Sequence, residues 1–409
     1  MNFKYNVCII GGCGHVGLPL GLSFANKGLK VLSIDTNQEV VNKVTNKEMP
    51  FFEPNAEKVL QEVVGNGNFS CTTDHGKVHE SEYIIIVPGT PIDSDFVPDL
   101  THVESVIKSI MPYLRKKQVL IFRSTLTPKS TDYIKNFIES NTMFRIGNDL
   151  FLAFAPERIV QSNAIKEIQI LPQIIGAYDN ETYAKVKNLF DIICPETIKT
   201  TPLEAELAKL FTNSYRFVNF ALANEFYMIA NSLGANIFNI LNAVNHNYPR
   251  ANIPKPGFTK GPCLGKDAWI LLSSSPSLSS FTGVISSAFR VNEGLPFFII
   301  SEIKKKLDIT KAKVAVLGLT FKGDCDDMRD SLSIKLLKIL KNDFVDYETH
   351  DPFVEKKDIK NILKGKDVII IAVNHSLYEN TDIASYAKKG TLIVDIWNTQ
   401  KRNMVFFEV

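Results

Sequence analysis

Short apolar runs alternate with longer helical stretches in the first third of the chain. Five runs are compact, apolar and bounded by Gly, Pro, Asn or Asp; they are Asn6–Gly12, Lys30–Asp35, Tyr83–Val87, Gln118–Arg123 and Leu150–Ala155. Runs of this length with these borders predict buried parallel strands. Because the segments between them are long enough for crossover helices, the pattern predicts an α/β fold with a doubly wound parallel sheet.

The pattern becomes helical in the middle of the chain. After Pro202 no Pro or Gly occurs before Gly234, and apolar residues recur at helical spacing. We predict one long helix here, with Pro202 at its first position and either Thr200 or Thr201 as its N-cap. A second helix is predicted at about Ile237–Val244. We expect this helical block to join two α/β halves and to form a subunit interface.

A second α/β region begins after about residue 311. Four more apolar runs predict a smaller parallel sheet; they are Lys313–Leu319, Val345–His350, Val368–Val373 and Leu392–Ile396. The expected organisation is therefore an α/β domain, a helical domain and a second α/β domain, with boundaries near residues 200 and 300. Ser273–Ser280 is expected to be a Ser-rich loop.

Composition limits the classes of protein that fit. With 409 residues, 45% hydrophobic and 22% charged, the chain is typical of a globular protein of two or three domains. A formal net charge of +2 gives no overall field for binding nucleic acid. No apolar run approaches the roughly 18 residues of a membrane span, and the N-terminal stretch is expected to be a strand rather than a secretory signal. The six cysteines form no CxxC pair, so we expect a reducing, cytoplasmic compartment without disulfides. His75 and His79 lack a third ligand, so no metal is expected.

A glycine-rich turn, Gly12-Cys13-Gly14-His15-Val16-Gly17, follows the first predicted strand. Its glycines permit the tight turn, the approach of a pyrophosphate to the backbone and the close packing of helix on strand. Asp35 ends the second strand 18 residues after Gly17, where a carboxylate binds the adenosine ribose, and no Arg follows it to accept a 2′-phosphate. These residues predict NAD rather than NADP. The alternative is a Rossmann-like turn that binds no cofactor.

Three other predicted strands are each followed by a polar loop. The loops are Val87–Pro91, Arg123–Pro128 and Ala155–Arg158. In open α/β sheets ligands bind at the carboxyl ends of the strands, so these loops are candidate ligand contacts, although ordinary loops share their composition. Glu157 lies just beyond a strand end. Beside a nicotinamide it would hold or activate a water as a general base; the alternative is a solvated surface carboxylate.

Two further segments carry cations. Lys209 and Asn213 lie one helical turn apart on the predicted long helix, so they share a face and would together stabilise an oxyanion in a cleft. Lys322 and Arg329 follow the first strand of the second sheet, at the edge where phosphates would bind. The alternatives are ordinary helix surface for the first pair and a solvated charged loop for the second.

The segment Pro256–Asp267 contains the most informative motif. Cys263 follows a Gly/Pro-rich loop near a predicted helix N-terminus, with Lys266 three residues later. Both features favour the thiolate, which is the reactive form of a cysteine. Asp267, one turn after Cys263, can orient the lysine or a water. The alternative is a small buried hydrophobic side chain, the usual environment of an isolated cysteine.

In this order the motifs resemble the UDP-glucose/GDP-mannose dehydrogenase family of nucleotide-sugar 6-dehydrogenases, over about residues 5–398. The motifs that carry the resemblance are GxGxxG at Gly12–Gly17, Pro156-Glu157-Arg158, AELxKLxxN at Ala205–Asn213 and GPCLxKD at Gly261–Asp267. The resemblance implies an NAD-binding Rossmann domain at 1–200, a central helical dimerisation domain at 201–300 and a UDP-sugar-binding Rossmann-like domain at 301–409. It also implies oxidation of a sugar C6 alcohol to a carboxylate with two NAD per turnover.

The resemblance further implies a covalent mechanism, in which a thiol adds to the C6 aldehyde and a thioester is later hydrolysed. The implied catalytic residues are Cys263, Lys209, Asn213, Asp267, Glu157 and Thr125. The implied NAD contacts are Gly12, Gly14, His15, Val16, Gly17, Asp35, Pro88, Thr90, Thr125, Lys266 and Arg329. The implied substrate contacts are Glu157, Arg158, Lys209, Asn213, Arg250, Gly257, Phe258 and Lys322.

The predicted sugar pocket departs from the family pattern at a few positions, which are Gln161-Ser162, Thr259, Lys260, Cys325 and Trp397. Arg216 and the segments Leu171–Gly176 and Tyr248–Ile253 are similar to UDP-N-acetylmannosamine and UDP-N-acetylglucosamine dehydrogenases, whereas Lys266-Asp267 is more like the UDP-glucose and GDP-mannose enzymes. We therefore expect a UDP-N-acetylhexosamine as substrate, with UDP-glucose as the alternative, and a homodimer or higher homo-oligomer. Two other classes are a two-electron β-hydroxyacid dehydrogenase, which would lack the second sheet and the Cys263 loop, and a non-catalytic nucleotide-sugar sensor.

Overall fold

A computed structural model of the chain describes residues 3–90, 99–274 and 283–409. The chain divides into two compact units of two segments each, Met1–Thr212 with Trp269–Ser274 and Asn213–Ala268 with Ser275–Val409. The division falls within the long central helix, so the three-domain organisation with boundaries near residues 200 and 300 stays a prediction. Pro91 and residues 275–280 of the expected Ser-rich loop lie outside the described residues.

The first unit is built on a sheet that has eight strands in the described part of the chain. They are β1 (Tyr5–Ile10), β2 (Val31–Ile34), β3 (Phe69–Thr72), β4 (Ser81–Ile86), β5 (Val119–Phe122), β6 (Phe151–Phe154), β7 (Gln173–Ala177) and β8 (Thr197–Thr200). The order across the sheet is β3-β2-β1-β4-β5-β6-β7-β8. Strands β1 to β6 are parallel, which confirms the predicted doubly wound sheet. The β6–β7 pair is antiparallel, which the hydrophobic pattern did not indicate.

Helices cover both faces of this sheet. They are α1 (Gly17–Asn26), α2 (Gln38–Thr45), α3 (Ala56–Gly65), α4 (Thr101–Ile110), α5 (Ser130–Asn141), α6 (Ala164–Ile170) and α7 (Asn180–Phe190), with short 3-10 helices at His75–Glu80 and Met111–Tyr113. Val7 and Ile9 of β1 pack in a core with α1, α3 and α7, whereas Cys8 and Ile10 pack in another with α4 and α5. Because successive side chains of a strand point to opposite faces, each face of the sheet has its own core.

The predicted long helix is α8 (Pro202–Ser232), 31 residues long. The backbone N–H of Glu204 donates to Thr201 Oγ1 at 3.4 Å, and the backbone N–H of Thr201 donates to Glu204 Oε2 at 2.8 Å. This reciprocal pair is a capping box, and it identifies Thr201 as the N-cap of the two candidate threonines. Gly234 has a positive φ of 71° just after the helix, as expected for a C-terminal stop.

The second unit contains a five-stranded sheet within the described residues. Its strands are β9 (Lys313–Leu317), β10 (Asp346–His350), β11 (Val368–Ile371), β12 (Leu392–Asp395) and β13 (Phe406–Glu408). The order is β10-β9-β11-β12-β13, and all pairs are parallel except β12–β13. The remaining helices are α9 (Ile237–Asn245), α10 (Gly261–Ser273), α11 (Gly283–Lys304), α12 (Leu332–Asn342), α13 (Ile359–Leu363) and α14 (Ser376–Glu379), with 3-10 helices at Ile309–Lys311 and Ile383–Tyr386.

Four strands were not predicted, and three of them, β3, β8 and β13, lie at sheet edges. An edge strand has a neighbour on one side only, and β8 and β13 contain no buried residue. Such strands lack the continuous apolar run that reveals a central strand. The fourth, β7, is buried but contains Gln173 and Gly176, which interrupt its apolar pattern.

Candidate functional site

The glycine-rich turn of the first unit is shaped by contacts of its own backbone. A Cβ on Gly12 would lie 2.2 Å from Ser33 Oγ, and one on Gly17 would lie 2.4 Å from the carbonyl oxygen of Gly11. Neither position can therefore carry a side chain without displacing the chain. A Cβ on Gly14 would meet only Gly11 O, at 3.8 Å. The protein itself does not require glycine at Gly14, so its open side fits the expected approach of a pyrophosphate.

The start of α1 also fits an anion. Its N-cap is Val16, which makes no side-chain cap, and its first turn contains no acidic residue. Helix N-terminal N–H groups without a side-chain acceptor, aided by the helix dipole, bind phosphate groups well. Near this turn, the ring of His15 lies 4.1 Å from that of Phe51, and His15 Nδ1 is 3.1 Å from Gln161 Nε2.

Asp35 follows β2 at the position expected for a ribose-binding carboxylate. Its Oδ2 accepts the backbone N–H of Cys13 at 3.1 Å, and its Oδ1 accepts that of Asn37 at 3.1 Å. These bonds fix the carboxylate beside the glycine-rich turn while leaving lone pairs on both oxygens. The turn, the helix start and Asp35 together form a set of residues that fits NAD.

Three predicted contacts follow β4, which is next to β1 in the sheet, and β5, which is next to β4. Pro88 packs close to the turn, since a Cβ on Gly11 would lie 3.0 Å from its ring. Thr90 is buried and Thr125 is half-buried. Because parallel strands end at one edge of the sheet, the structure brings these residues to the same edge as the glycine-rich turn.

Glu157 follows β6 and is bonded through both carboxylate oxygens. Arg123 Nε donates to its Oε2 at 2.7 Å, and the terminal Arg123 Nη2 contacts the same oxygen. The backbone N–H groups of Arg158 and Ile159 donate to its Oε1 at 2.7 and 2.9 Å. A carboxylate can accept about four hydrogen bonds, and these four donors occupy all of those positions. The geometry favours a positioning role for Glu157 over the predicted role of general base.

Arg123 was not singled out from the sequence, although it is a charged residue that ends an apolar strand. It is buried, and its Nη1 donates to Ala155 O at 3.2 Å and to Gln173 Oε1 at 2.8 Å. The ion pair with Glu157 thus joins the ends of β5 and β6 to β7. Arg158 is half-buried and donates to the carbonyl oxygen of Pro172; burial lowers the pKa of its guanidinium.

Glu206 on α8 is a second buried carboxylate that sequence reasoning missed. It accepts the backbone N–H groups of Lys129 and Thr131 at 2.6 and 2.7 Å, and the Thr131 hydroxyl at 2.6 Å. These donors lie at the start of α5, where a negative charge is favourable. Burial raises the pKa of Glu206, and the hydrogen bonds oppose that shift. Lys209, half-buried, lies three residues further along α8.

In the second unit, Cys263 is the third residue of α10 and is exposed. Asp267, one turn later, is fully buried, and its Oδ2 accepts Asn213 Nδ2 at 2.6 Å. Among the described residues Asp267 Oδ1 has no hydrogen-bond partner. The structure therefore brings Asn213, which was predicted on another helix, to Asp267, which the sequence already placed one turn after Cys263. Lys266 lies half-buried between Cys263 and Asp267 on the same helix.

Gly261 opens α10 in a conformation that only glycine adopts readily. Its φ is +80°, and a Cβ would lie 2.4 Å from the ring of Phe321. Its backbone N–H donates to the carbonyl oxygen of Asp330 at 3.3 Å. The helix that carries Cys263 therefore starts against the loop that follows β9, the strand-end loop in which the sequence predicted phosphate-binding cations.

Of the two predicted cations of that loop, Lys322 is half-buried and Arg329 is exposed. Lys322 Nζ donates to the carbonyl oxygen of Gly323 at 3.3 Å. Arg329 is bidentate to Asp327: its Nε donates to Oδ1 at 3.0 Å and its Nη2 donates to Oδ2 at 2.6 Å. The hydrogen bonds to Asp327 raise the pKa of Arg329, and electrostatic interactions with Asp327 and Cys263 act in the same direction. Arg329 is thus placed near Cys263, and its predicted contact with NAD stays a prediction.

The other predicted substrate residues of this unit differ in exposure. Gly257 and Phe258 are buried, whereas Arg250 is exposed and lies 4.8 Å above the ring of Tyr248. Trp397, one of the departures from the family pattern, packs against Gly257: a Cβ there would lie 2.4 Å from its ring.

Within the described ranges, no helix is both long and apolar enough to cross a membrane, and no group of three or more His, Cys, Asp and Glu side chains could hold a metal ion. None of the six cysteines is in a disulfide.

A dinucleotide-binding turn in one α/β unit, and a thiol-bearing loop with a second parallel sheet in the other, define the class of NAD-dependent two-sheet dehydrogenases. Domain models of the UDP-glucose/GDP-mannose dehydrogenase family match three successive parts of the chain: the NAD binding domain at residues 5–194, the central domain at 203–294 and the UDP binding domain at 315–402. The chain belongs to this family. Membership confirms the resemblance, the enzyme class and NAD as the cofactor.

Individual relatives are similar over nearly the full length. The UDP-N-acetyl-D-mannosamine dehydrogenase of Pyrococcus horikoshii is 31% identical over 97% of this chain and 96% of its own, and that of Campylobacter jejuni is 29% identical over 94% and 95%. The solved UDP-N-acetyl-mannosamine dehydrogenase of Staphylococcus aureus has a TM-score of 0.84 at 30% identity, covering 96% of this chain and 95% of its own. A UDP-glucose dehydrogenase from Pyrobaculum islandicum, with a TM-score of 0.88 at 23% identity over 97% of this chain and 96% of its own, shares the fold.

Proposed function

We propose that the chain catalyses the NAD-dependent four-electron oxidation of the C6 alcohol of a UDP-N-acetylhexosamine to the uronic acid. The observation that carries the proposal is the group of Cys263, Asp267 and Asn213, in which an exposed thiol at a helix N-terminus lies one turn before a buried carboxylate. Family membership supports a nucleotide sugar as substrate. The relatives named UDP-N-acetyl-D-mannosamine dehydrogenase support a UDP-N-acetylhexosamine.

Bound NAD supplies the hydride acceptor for each of the two oxidations. For the first, Asp267 Oδ1, which has no partner among the described residues, takes the proton of the C6 hydroxyl directly or through a water. The Cys263 thiolate then adds to the aldehyde carbon and forms a carbon–sulfur bond. Lys209 and the second N–H of the Asn213 amide stabilise the oxygen that gains negative charge.

The second oxidation converts this thiohemiacetal to a thioester. Water attacks the carbonyl carbon, the carbon–sulfur bond breaks, and the Cys263 thiolate leaves. We assign Asp267 to the proton of that water, and Thr125 to hydrogen bonding it. Glu157 fixes the segment after β6 through its bonds to Arg123 and Arg158.

The test is NADH formation by the full chain with a panel of UDP-N-acetylmannosamine, UDP-N-acetylglucosamine, UDP-glucose and GDP-mannose. We expect a UDP-N-acetylhexosamine to give the highest kcat/KM and two NADH per sugar consumed. A preference for UDP-glucose would overturn the assigned substrate, and one NADH per sugar would overturn the four-electron reaction. No NADH with any of the sugars would overturn the proposed oxidation itself.

We also propose that α8 forms the core of a homodimer interface. Large exposed apolar side chains follow one another at intervals of four or seven residues along it and at the residue directly after its end; they are Phe211, Tyr215, Leu222, Ile229 and Leu233, 40–78% exposed. These intervals place all five on one side of the helix. A stripe of this kind indicates a surface covered by a partner, and a second copy of the chain supplies a matching stripe. A monomeric mass by light scattering at micromolar concentration, with full activity, would contradict this proposal.

The three predicted domains are supported by the family models, since each matched range lies within one of the ranges 1–200, 201–300 and 301–409. Expression of residues 1–200 alone, with NAD binding measured by calorimetry, tests the first boundary. The cytoplasmic compartment stays a prediction from cysteine usage.

A further inference from the structure

A buried amide holds the segment that precedes Cys263. Asn224, on α8, is fully buried. Its Oδ1 accepts the backbone N–H of Gly257 at 2.8 Å, and its Nδ2 donates to the carbonyl oxygen of the same residue at 3.2 Å. Both backbone polar groups of Gly257 are therefore bonded to one side chain, an arrangement that leaves the backbone little freedom to rotate there.

Asn292 on α11 fixes the orientation of that amide. Its Oδ1 accepts Asn224 Nδ2 at 2.9 Å, and its own Nδ2 donates to the carbonyl oxygen of Phe217 at 3.2 Å. Asn292 is 1% exposed, so water does not compete for these bonds. With Gly257 and Asn292 as partners, both N–H groups of the Asn224 amide are used. Two helices and one loop are thus joined through two adjacent amides.

The ring of Trp397 lies on the other side of Gly257. Three of its ring carbons would be 2.4–2.6 Å from a Cβ at this position, which is closer than any side chain tolerates. Trp397 follows β12, and its Nε1 donates to the carbonyl oxygen of Ala372 at 2.9 Å. Gly257 is therefore enclosed between the Asn224 amide and an anchored indole, so its position depends on both.

The residues beyond Gly257 have separate supports. Lys260 pairs with Glu293 at 2.5 Å, and Gly261 is bonded to Asp330. Cys263 lies beyond both contacts. Loss of the amide pair would therefore displace Gly257 and its neighbour Phe258 more than it displaces the thiol.

We infer that Asn224 is a positioning residue that sets the affinity for the nucleotide sugar by fixing the backbone of Gly257, and that Asn292 fixes Asn224. The inference rests on the proposed function and on the contacts of Gly257 and Phe258 with the substrate that the family resemblance implies. No sequence motif identified either asparagine. Asn224 is 33 residues away from Gly257 and 68 residues away from Asn292, so no short-range pattern connects them.

The test compares three Asn→Asp variants of the full chain. Asn224→Asp keeps an acceptor for the Gly257 N–H but loses both donated hydrogen bonds. We expect the KM for the sugar to rise on the order of tenfold, because the Gly257 carbonyl and the orientation of the side chain are no longer held, with kcat changed less than about threefold and the KM for NAD unchanged. Asn292→Asp buries the same charge but keeps its bond to Asn224, so its Tm falls with a much smaller rise in KM. Asn219→Asp is the matched control, for which we expect no change in KM, because the Asn219 side chain donates to the carbonyl oxygen of Tyr215 on the same helix and not to Gly257.

A folded Asn224→Asp protein with wild-type KM, or equal KM increases in Asn224→Asp and Asn292→Asp, would overturn the inference. If Asn224→Asp is not recovered folded, Asn224→Gln takes its place, since it moves the amide by one methylene without adding charge; a wild-type KM there has the same meaning. Failure of the proposed function looks different, because the wild-type chain would then form no NADH with any UDP-sugar.

Discussion

The two loops that open α1 and α10 perform comparable tasks but are held in different ways. Gly12–Gly17 is shaped mainly by its own backbone, and by Ser33 on the next strand, β2. The segment from Gly257 to Cys263 is shaped by Asn224, Trp397 and other residues far away in sequence. A pyrophosphate is common to all dinucleotides, so a local motif suffices to bind it. A loop that selects one substrate depends on tertiary contacts, and these can change while the motif stays the same.

The largest expected effect on activity comes from removing the thiol of Cys263, which lies at the end of the loop that opens α10. Cys263→Ala should lower uronic acid formation by about a thousandfold or more, because neither thiohemiacetal nor thioester can form. Sugar and NAD binding should stay close to wild type, since one small exposed side chain is lost. Turnover, substrate affinity and Tm are measured together. Wild-type turnover by the folded variant would remove the thioester mechanism.

The glycine-rich turn Gly12–Gly17 should instead be sensitive to any side-chain atom added at its tightly packed glycines. Gly17→Ala places a methyl group 2.4 Å from Gly11 O, so we expect about 1–3 kcal/mol lower stability and weak NAD binding. Gly14→Ala is the matched change, with no contact closer than 3.8 Å. It should fold with wild-type Tm and lose NAD affinity only, by calorimetry. Equal Tm losses in the two variants would contradict the difference between these glycines.

The pH dependence of stability tests the ion pair between Glu293 and Lys260, which supports the segment before Cys263. Burial raises the pKa of Glu293, but its hydrogen bonds to Lys260 and Lys335 outweigh this and lower it below its usual 4.5. A lowered pKa stabilises the fold above the unfolded value, and this contribution is lost as pH falls through the folded value. Glu293→Gln should cost about 1–2 kcal/mol at neutral pH. The difference from wild type, measured by urea unfolding, should shrink below about pH 4.5; a difference independent of pH would refute the ion-pair account.

The smallest expected effect on stability comes from removing a local contact, the capping box between Thr201 and Glu204. Thr201→Ala removes the side-chain half of the capping box of α8, whose bond to Glu204 is long at 3.4 Å. We expect about 0.5–1 kcal/mol lower stability with unchanged KM values. Thr200→Ala is the control, because Thr200 precedes the cap. An equal loss in both variants would show that the cap is not at Thr201.

Local patterns were enough to predict much of the fold. The central strands β1, β2, β4, β5 and β6 were found within two residues, because each is buried on both faces and reads as one apolar run. The helix after Thr201 was equally visible, since its cap and its stop are adjacent to it in sequence. The glycine-rich turn with Asp35 indicated NAD for the same reason.

Features that depend on distant partners were not visible in the sequence. The antiparallel β7 supplies Gln173 to the buried Arg123, and this bond joins residues 50 positions apart. Glu157 was predicted as a general base, yet Arg123 and two backbone N–H groups occupy its oxygens, which no spacing rule reveals. Residue types and short-range periodicity therefore determine the strands, the helix ends and the cofactor turn. The partners of buried polar groups are set only when the chain folds, because a buried donor or acceptor must be satisfied by whichever group the packing brings to it.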